Sequence, residues 1–267
     1  MSIEQLEELC SQSREIVAQT AAFIRAELGK VDQGQIEVKD LNSLVSYVDK
    51  RAEEQLAHGL SALLPGAGFL TEEETVAQGE AVHRWIIDPL DGTTNFLHQL
   101  PFFSISVALQ FEGELVMGIV MEVVREECFY AWKGGGAWLN GQPISVSQNT
   151  QLSEALLATG FPYTDFEGME AYVGLLKELM RSSRGIRRLG SAALDLAFTA
   201  CGRFDSFYEY GLNAWDVAAG IVIVQEAGGV VSDFSGGGDA LFGRTLISGS
   251  PAIHGEMLGL VKKYFGN

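Results

Sequence analysis

The sequence predicts a layered α/β or α+β fold of two lobes that meet near residue 150. Three observations carry this expectation. The N-terminal region has helical periodicity, the segment from Phe103 to Val146 is a series of strand-like runs, and helical and strand patterns alternate again after about residue 150. The chain has 267 residues, of which 47% are hydrophobic and 20% charged, so it can bury a large core and has the composition of a globular protein.

In order along the chain, Ile3, Leu6, Leu9, Ile16, Thr20, Phe23, Ile24 and Leu28 recur at helical spacing and predict a long amphipathic first helix. Val48, Ala52, Leu56, Leu60 and Leu63 mark a second, stopped by Pro65-Gly66. Ala67 to Leu70 and Arg84 to Ile87 read as short buried strands. SISVALQF, ELVMGIVMEV, ECFYAW and AWLNG are separated by EG, RE and GGG turns, which predicts an antiparallel meander. Beyond it, ALLATG, Phe204–Glu209, Gly229–Ser232 and LISGS read as strands. Glu167–Met180, Ser191–Cys201, Trp215–Ala227 and Pro251–Tyr264 read as helices. Repeats, low-complexity segments and an interdomain linker are absent from the sequence.

Composition narrows the function classes. The formal net charge of −17 repels phosphate backbones and argues against nucleic acid as the main partner. Cys10, Cys128 and Cys201 are odd in number and widely spaced, which excludes a disulfide framework and a CxxC zinc site. They read as buried thiols in a reducing compartment. The acidic N-terminus does not resemble a signal peptide, and the most apolar stretch, AGIVIVQEAGGVV, is too short to span a bilayer. The expectation is a soluble cytoplasmic protein with no membrane partner. The glycine triplets at 134–136 and 236–238 match neither GxGxxG nor a Walker A pattern and read as turns.

Carboxylates dominate the candidate chemistry. His58, His83, His98 and His254 form no HxxxH pair, and no GxSxG elbow is present. Glu72, Glu73 and Glu74 follow the strand ending at Leu70, Asp88 and Asp91 follow Ile87, and Asp216 opens the helix after the strand ending at Glu209. Hard divalent cations take such oxygen ligands. Each acid also has an ordinary reading as a turn cap, a solvated charge or a helix cap, and for Glu74 that reading is preferred. The pair in DPLDGTT is the stronger signal. Pro89 fixes φ, Gly92 permits an unusual backbone, and Thr93 and Thr94 open a helix whose free N–H groups suit a phosphate. One seven-residue turn thus offers metal ligands and a phosphate cradle together.

DPLDGTTNF, with TEEET before it and WDVAAGIVIVQEAGG after it, resembles the inositol monophosphatase family of Mg²⁺-dependent sugar-phosphate phosphatases. SYVDKRAEE, GSAALDLA and YEYG extend the resemblance over essentially the whole chain. It implies one αβαβα sandwich domain over 1–267 with lobes of about 1–150 and 151–267, two or three Mg²⁺ ions between the lobes, and a homodimer. It further implies that Glu72, Asp88, the Leu90 carbonyl, Asp91 and Asp216 are metal ligands, with Glu73 supporting them. Thr93 and Asp49 would orient the attacking water. Gly92 and Thr93 amides would hold phosphate, and Gly190, Ser191, Ala192 and Glu209 would face the alcohol part of the substrate. Thr71 departs from the usual glycine, Ser43 and Ser46 stand where aspartate and threonine are common, and Asn213 varies before Trp215.

The reaction so implied is in-line hydrolysis of a phosphate monoester by metal-activated water, with no covalent intermediate and with sensitivity to lithium. Inositol 1-phosphate is the favoured substrate, because TTNF fits that branch better than the TKxF of nucleotide-phosphate relatives and Glu209 suits vicinal hydroxyls. Fructose 1,6-bisphosphate, histidinol phosphate and adenosine 3′,5′-bisphosphate are the alternatives within the superfamily. A non-enzymatic regulatory protein on the same fold, or a two-metal nuclease, are the alternatives outside it. The complete carboxylate set argues against the first and the acidic balance against the second.

Overall fold

The computed structural model describes residues 1–40, 43–162 and 166–266; of Gln33, Asp40 and Ser43 it describes the backbone. The Ser43 departure noted above therefore concerns a side chain outside the described set.

The chain opens with α1 (Ile3–Glu27) and α2 (Tyr47–Leu63). Both begin with capping boxes. Ser2 and Gln5 bond reciprocally at α1, and at α2 the Ser46 N–H donates to Asp49 at 2.9 Å while Ser46 Oγ accepts from the Val48 N–H at 3.1 Å. Between them lies an antiparallel hairpin of β1 (Ile36–Asp40) and β2 (Ser43–Ser46), which the sequence reading did not anticipate. Its strands are short and three of the five residues of β1 are charged, so it lacks the apolar run that marks a buried strand.

A seven-stranded sheet follows, built in spatial order from β3 (Gly68–Thr71), β4 (His83–Asp91), β5 (Ser104–Phe111), β6 (Glu114–Glu122), β7 (Glu127–Trp132), β8 (Gly136–Leu139) and β9 (Gln142–Ile144). β3 and β4 are parallel, and the rest is the expected antiparallel meander. The short helix α3 (Thr93–Leu97) leaves the end of β4. The second sheet runs β11-β10-β12-β14-β13, from β10 (Leu156–Thr159), β11 (Gly185–Arg187), β12 (Ser206–Tyr210), β13 (Val230–Ser232) and β14 (Thr245–Gly249). Its helices are α4 (Met169–Ser182), α5 (Ala192–Ala200), α6 (Ala214–Glu226) and α7 (Pro251–Phe265). Like the first hairpin, β9 and β11 have no counterpart among the predicted strands: they are three-residue edge strands with a single isoleucine each, and β9 also holds a proline.

Three cores define five layers. Trp85, Ile87, Ile105, Val107 and Leu109 face α1 and α2 on one side of the large sheet. Ile86, Ala108 and Val120 face the other way, onto α5 and α6. The second sheet buries Leu157, Tyr208 and Ile247 against α4 and α7. The order is α1/α2, seven strands, α5/α6, five strands, α4/α7: an αβαβα sandwich. β4 is buried on both faces, which explains why WII reads as a continuous apolar run and not an alternation. α5 and α6 have sheets on both sides, so they are apolar nearly all round, and all nine residues of α5 are buried.

Candidate active site

The candidate site grows out of an irregularity at the end of β4. Asp88 pairs with Ser106 and Asp91 with Ser104, so three residue steps on β4 span two on β5. The extra residue is a β-bulge, and Pro89, which has no N–H to place in a ladder, sits inside it. The bulge turns both aspartates out of ladder alternation toward one cleft. Asp88 Oδ1 locks the bend by accepting the Leu90 N–H at 2.9 Å. Gly92 then takes φ +99°, and a Cβ there would sit 3.0 and 3.1 Å from the carbonyl oxygens of Phe102 and Gly190. Any side chain would therefore clash as well as strain the backbone.

Thr93 begins α3 with its hydroxyl between two acceptors, Asp49 Oδ1 at 2.8 Å and the Leu90 carbonyl at 3.0 Å. One hydroxyl proton can serve only one of them, and the nearer carboxylate is the better acceptor. Asp49 is held from behind by the Ser46 N–H at 2.9 Å and the Ser46 hydroxyl at 2.7 Å. Burial raises the Asp49 pKa, and these donors oppose the rise. α3 is five residues long and has no side-chain cap among the described residues. What it can offer an anion is thus local first-turn N–H groups, not the macrodipole expected of a longer helix.

The glutamate loop is set by residues the sequence reading did not single out. Buried Glu53 lies one helical turn beyond Asp49 on α2 and accepts the N–H groups of Glu73 at 2.8 Å and Thr75 at 2.7 Å, and the Thr75 hydroxyl at 2.7 Å. Thr71 and Gln78 exchange two hydrogen bonds, of 2.8 and 2.9 Å, which gives the departure from glycine at 71 a local use. Lys39 on β1 reaches across to Glu72 at 3.3 Å and bonds Glu73 directly. Glu73 is pushed up to about 7 by burial and by Glu72. An (i, i+4) acid pair on a helix was a visible signal for Glu53; its loop partners were not.

The far wall comes from the second half of the chain. Asp91 Oδ2 accepts both the Ser191 hydroxyl and the Ala193 N–H at 2.7 Å, at the start of α5. Ser191, expected to face an alcohol, thus directs its hydroxyl to Asp91 while lining the cleft. Asn95, also missed, donates to the Phe102 carbonyl at 2.6 Å and the Leu189 carbonyl at 2.8 Å, tying α3 to the loop that carries Gly190. Asp216 accepts the Asn213 N–H at 2.7 Å at the start of α6. Asn213 Oδ1 in turn accepts from Arg244 at 3.1 Å. Glu72, Asp88, Leu90, Asp91, Gly92, Thr93, Gly190, Ser191, Ala192, Glu209 and Asp216 all line one cleft of about 450 Å³. Glu73 and Asp49 stand behind its wall.

Among the described residues, no three His, Cys, Asp or Glu side chains close on one point as a finished ligand sphere. The set is open, with Asp91 leaning on α5, Asp216 on Asn213 and Glu72 on Lys39. Its chemistry nevertheless fits a hard divalent cation. Burial, then Glu72, Asp91 and Asp216, hold the Asp88 carboxyl well above the ordinary range. Asp216 is raised by burial and Asp91, and Asp91 itself is pushed up to about 7, chiefly by burial. Four oxygen-only acids that repel one another in one cleft ionise together most readily around a cation. Mg²⁺, which takes few carboxylates and keeps waters, suits them. Glu53→Ala should lose about 2–3 kcal/mol of stability, from orphaned N–H groups. It should also raise the Mg²⁺ concentration for half-maximal activity about 10-fold or more, as loss of a ligand-orienting group does. Unchanged Mg²⁺ dependence in a folded variant would reduce Glu53 to a structural residue.

The model of the inositol monophosphatase family matches residues 5–264. An inositol-1-monophosphatase of Mesorhizobium japonicum is 41% identical over 238 residues, 89% of this chain and 90% of that protein. A Nus factor SuhB of Pseudomonas aeruginosa is 39% identical over 240 residues, 88% of this chain and 89% of that one. The crystal structure of the extragenic suppressor protein SuhB of Bartonella henselae superposes with a TM-score of 0.89 at 39% identity, covering 93% of this chain and 96% of the other.

Proposed function

The chain belongs to the inositol monophosphatase family, and from that premise we propose that it hydrolyses phosphate monoesters of small polyols in a Mg²⁺-dependent reaction, with inositol 1-phosphate the preferred substrate. The observation that carries the proposal is the Thr93–Asp49 hydrogen bond of 2.8 Å, set on the β4 bulge beside Glu72, Asp88, Asp91 and Asp216.

Mg²⁺, held by Glu72, Asp88, the Leu90 carbonyl, Asp91 and Asp216, would lower the pKa of a water and offset charge on the phosphoryl and leaving oxygens. The chain's own residues do the positioning. With its O–H donated to Asp49 Oδ1, Thr93 Oγ1 presents a lone pair to the attacking water and fixes its direction. The amides of Gly92 and Thr93 hold phosphate oxygens, and Gly92 lets the backbone approach them. Glu209 accepts hydrogen bonds from hydroxyls of the alcohol. None of these residues need become a nucleophile: water would attack phosphorus as the ester P–O bond breaks, its proton passing through Thr93 Oγ1 to Asp49, and the departing alkoxide would take a proton from solvent water.

Thr93→Val should lower kcat about 100-fold with KM within about 3-fold of the original, because the lost contact acts in the transition state. Unchanged kcat with a lower Tm would mark Thr93 as only a helix-start residue. Lithium supplies a second check. Li⁺ is close to Mg²⁺ in size, prefers hard oxygen ligands and carries half the charge, so in the Asp88–Asp91–Asp216 site it would trap the phosphate-bound form. Inhibition should therefore be uncompetitive and deepen as substrate rises. Relief by excess substrate would contradict that assignment.

A panel of inositol 1-phosphate, fructose 1,6-bisphosphate, histidinol phosphate and adenosine 3′,5′-bisphosphate tests the substrate. A kcat/KM for inositol 1-phosphate at least about 10-fold above the others is expected, a margin of about 1.4 kcal/mol. A higher value for any other ester reassigns the substrate. Relatives of similar identity are named Nus factors, so a regulatory binding role is the second reading. Failure to hydrolyse every ester with Mg²⁺ present would favour it.

A further inference from the structure

One acid in the cleft has no task in the scheme above. Asp195 lies one helical turn after Ser191 on α5, in the otherwise apolar AALDLAFTA, and is 1% exposed. Its backbone is satisfied: the N–H donates to the Ser191 carbonyl at 3.0 Å, and its carbonyl accepts the Thr199 hydroxyl at 2.8 Å. Its carboxyl is not, because Oδ1 is fully buried and has no hydrogen-bond partner among the described residues. A buried carboxyl oxygen without a partner is rare in folded proteins and calls for a reason.

The surroundings supply one. Asp195 and Glu209 line the same cleft, together with Gly160 and Arg188. Gly160 keeps the space around Glu209 open, since a Cβ there would sit 2.0 Å from its carboxyl carbon. The two acids approach from different elements, α5 and β12, and Glu209 is close enough to raise the Asp195 pKa after burial has done so. Arg188, in the same wall, opposes the rise at both acids.

We propose that Asp195 is a specificity-determining residue: with Glu209 it accepts hydrogen bonds from hydroxyls of the substrate's alcohol part, so that the cleft selects a phosphorylated polyol over an ester without hydroxyls. The inference rests on the phosphatase reading and adds to it a residue that decides which alcohol fits. A site built to bond a hydroxyl discriminates strongly, because its buried polar groups stay unpaired when the hydroxyl is missing.

The test compares inositol 1-phosphate with phenyl phosphate, which has no hydroxyl on its alcohol part. Asp195→Ala should lower kcat/KM for inositol 1-phosphate about 10- to 100-fold, mostly through KM, and change that for phenyl phosphate less than about 3-fold. Asp195→Asn, which keeps one acceptor oxygen and the side-chain shape, should restore part of the preference and serves if the alanine variant does not fold. Equal losses on both esters, or no loss on either, would overturn the proposal. If the wild type hydrolyses neither ester, the phosphatase reading falls, and equilibrium binding of the two esters with Ca²⁺ then judges Asp195 by the same ratio. An unaltered binding ratio in Asp195→Asn and Asp195→Ala would overturn it.

Discussion

Asp91→Asn should abolish Mg²⁺-dependent phosphate release, with a loss of roughly 100-fold or more, while the protein stays folded. The amide keeps an oxygen where Oδ2 now accepts the Ser191 hydroxyl and the Ala193 N–H, both at 2.7 Å. The contact between the β4 bulge and α5 therefore survives. The other oxygen becomes an NH₂, which turns a donor toward a cation and removes one negative charge from the cluster. Electrostatic contacts made to the transition state are commonly worth about 100- to 1,000-fold. Without metal, the variant should be at least as stable as the parent, because burial and Glu72 already disfavour the Asp91 charge. Phosphate release and thermal melting on the same preparations read both effects. Near-normal turnover in a folded variant would remove Asp91 from the metal set.

Stripping the metal should make stability fall as pH rises. Burial holds Asp91 at about 7, and burial with neighbouring acids holds Asp88 and Asp216 well above the carboxylate range. The unfolded chain releases those protons near pH 4. Between about pH 4 and 7 the folded state therefore binds more protons than the unfolded one, and stability declines with increasing pH across that window. For a group moved by three pH units the loss is on the order of a few kcal/mol, or roughly 5–15 °C in Tm for a chain of this size. Mg²⁺ binds the ionised cluster, so it should raise Tm more at pH 8 than at pH 5. Melting curves with EDTA and with Mg²⁺ at both pH values decide it. A metal-free Tm that climbs from pH 5 to pH 8, with a Mg²⁺ effect independent of pH, would contradict the electrostatics of the cleft.

Much of this molecule is legible in its sequence where strong local patterns coincide with tertiary need. Trp85-Ile86-Ile87 is apolar on both faces and is followed by a proline between two aspartates, so the strand and the carboxylate turn could both be read directly. The meander from Ser104 to Leu139 is equally plain, because EG, RE and GGG turns interrupt its strands. Legibility fails where a residue's meaning comes from a distant loop. Glu53 reads as an ordinary helical acid until Glu73 and Thr75 fold back onto it. Asn95 reads only as part of TTNF until Phe102 and Leu189 approach, and Lys39 sits on a hairpin with no apolar signature. Asp195 reads only as part of GSAALDLA; its unpartnered oxygen emerges from packing α5 between two sheets. The extra residue in β4 shows the same limit from the other side, since DPLD predicts a turn but not that the turn is a bulge whose strand runs on to Asp91.

Phosphate release from inositol 1-phosphate by the purified protein, with Mg²⁺ and again after EDTA, joins the fold, the carboxylate cluster and the Thr93–Asp49 pair in one experiment. Release should be rapid with Mg²⁺, fall to background with EDTA, and return when Mg²⁺ is restored in excess. Release that continues unchanged in EDTA, or none at any Mg²⁺ concentration, would contradict the assignment of this cleft as a metal-dependent phosphatase site.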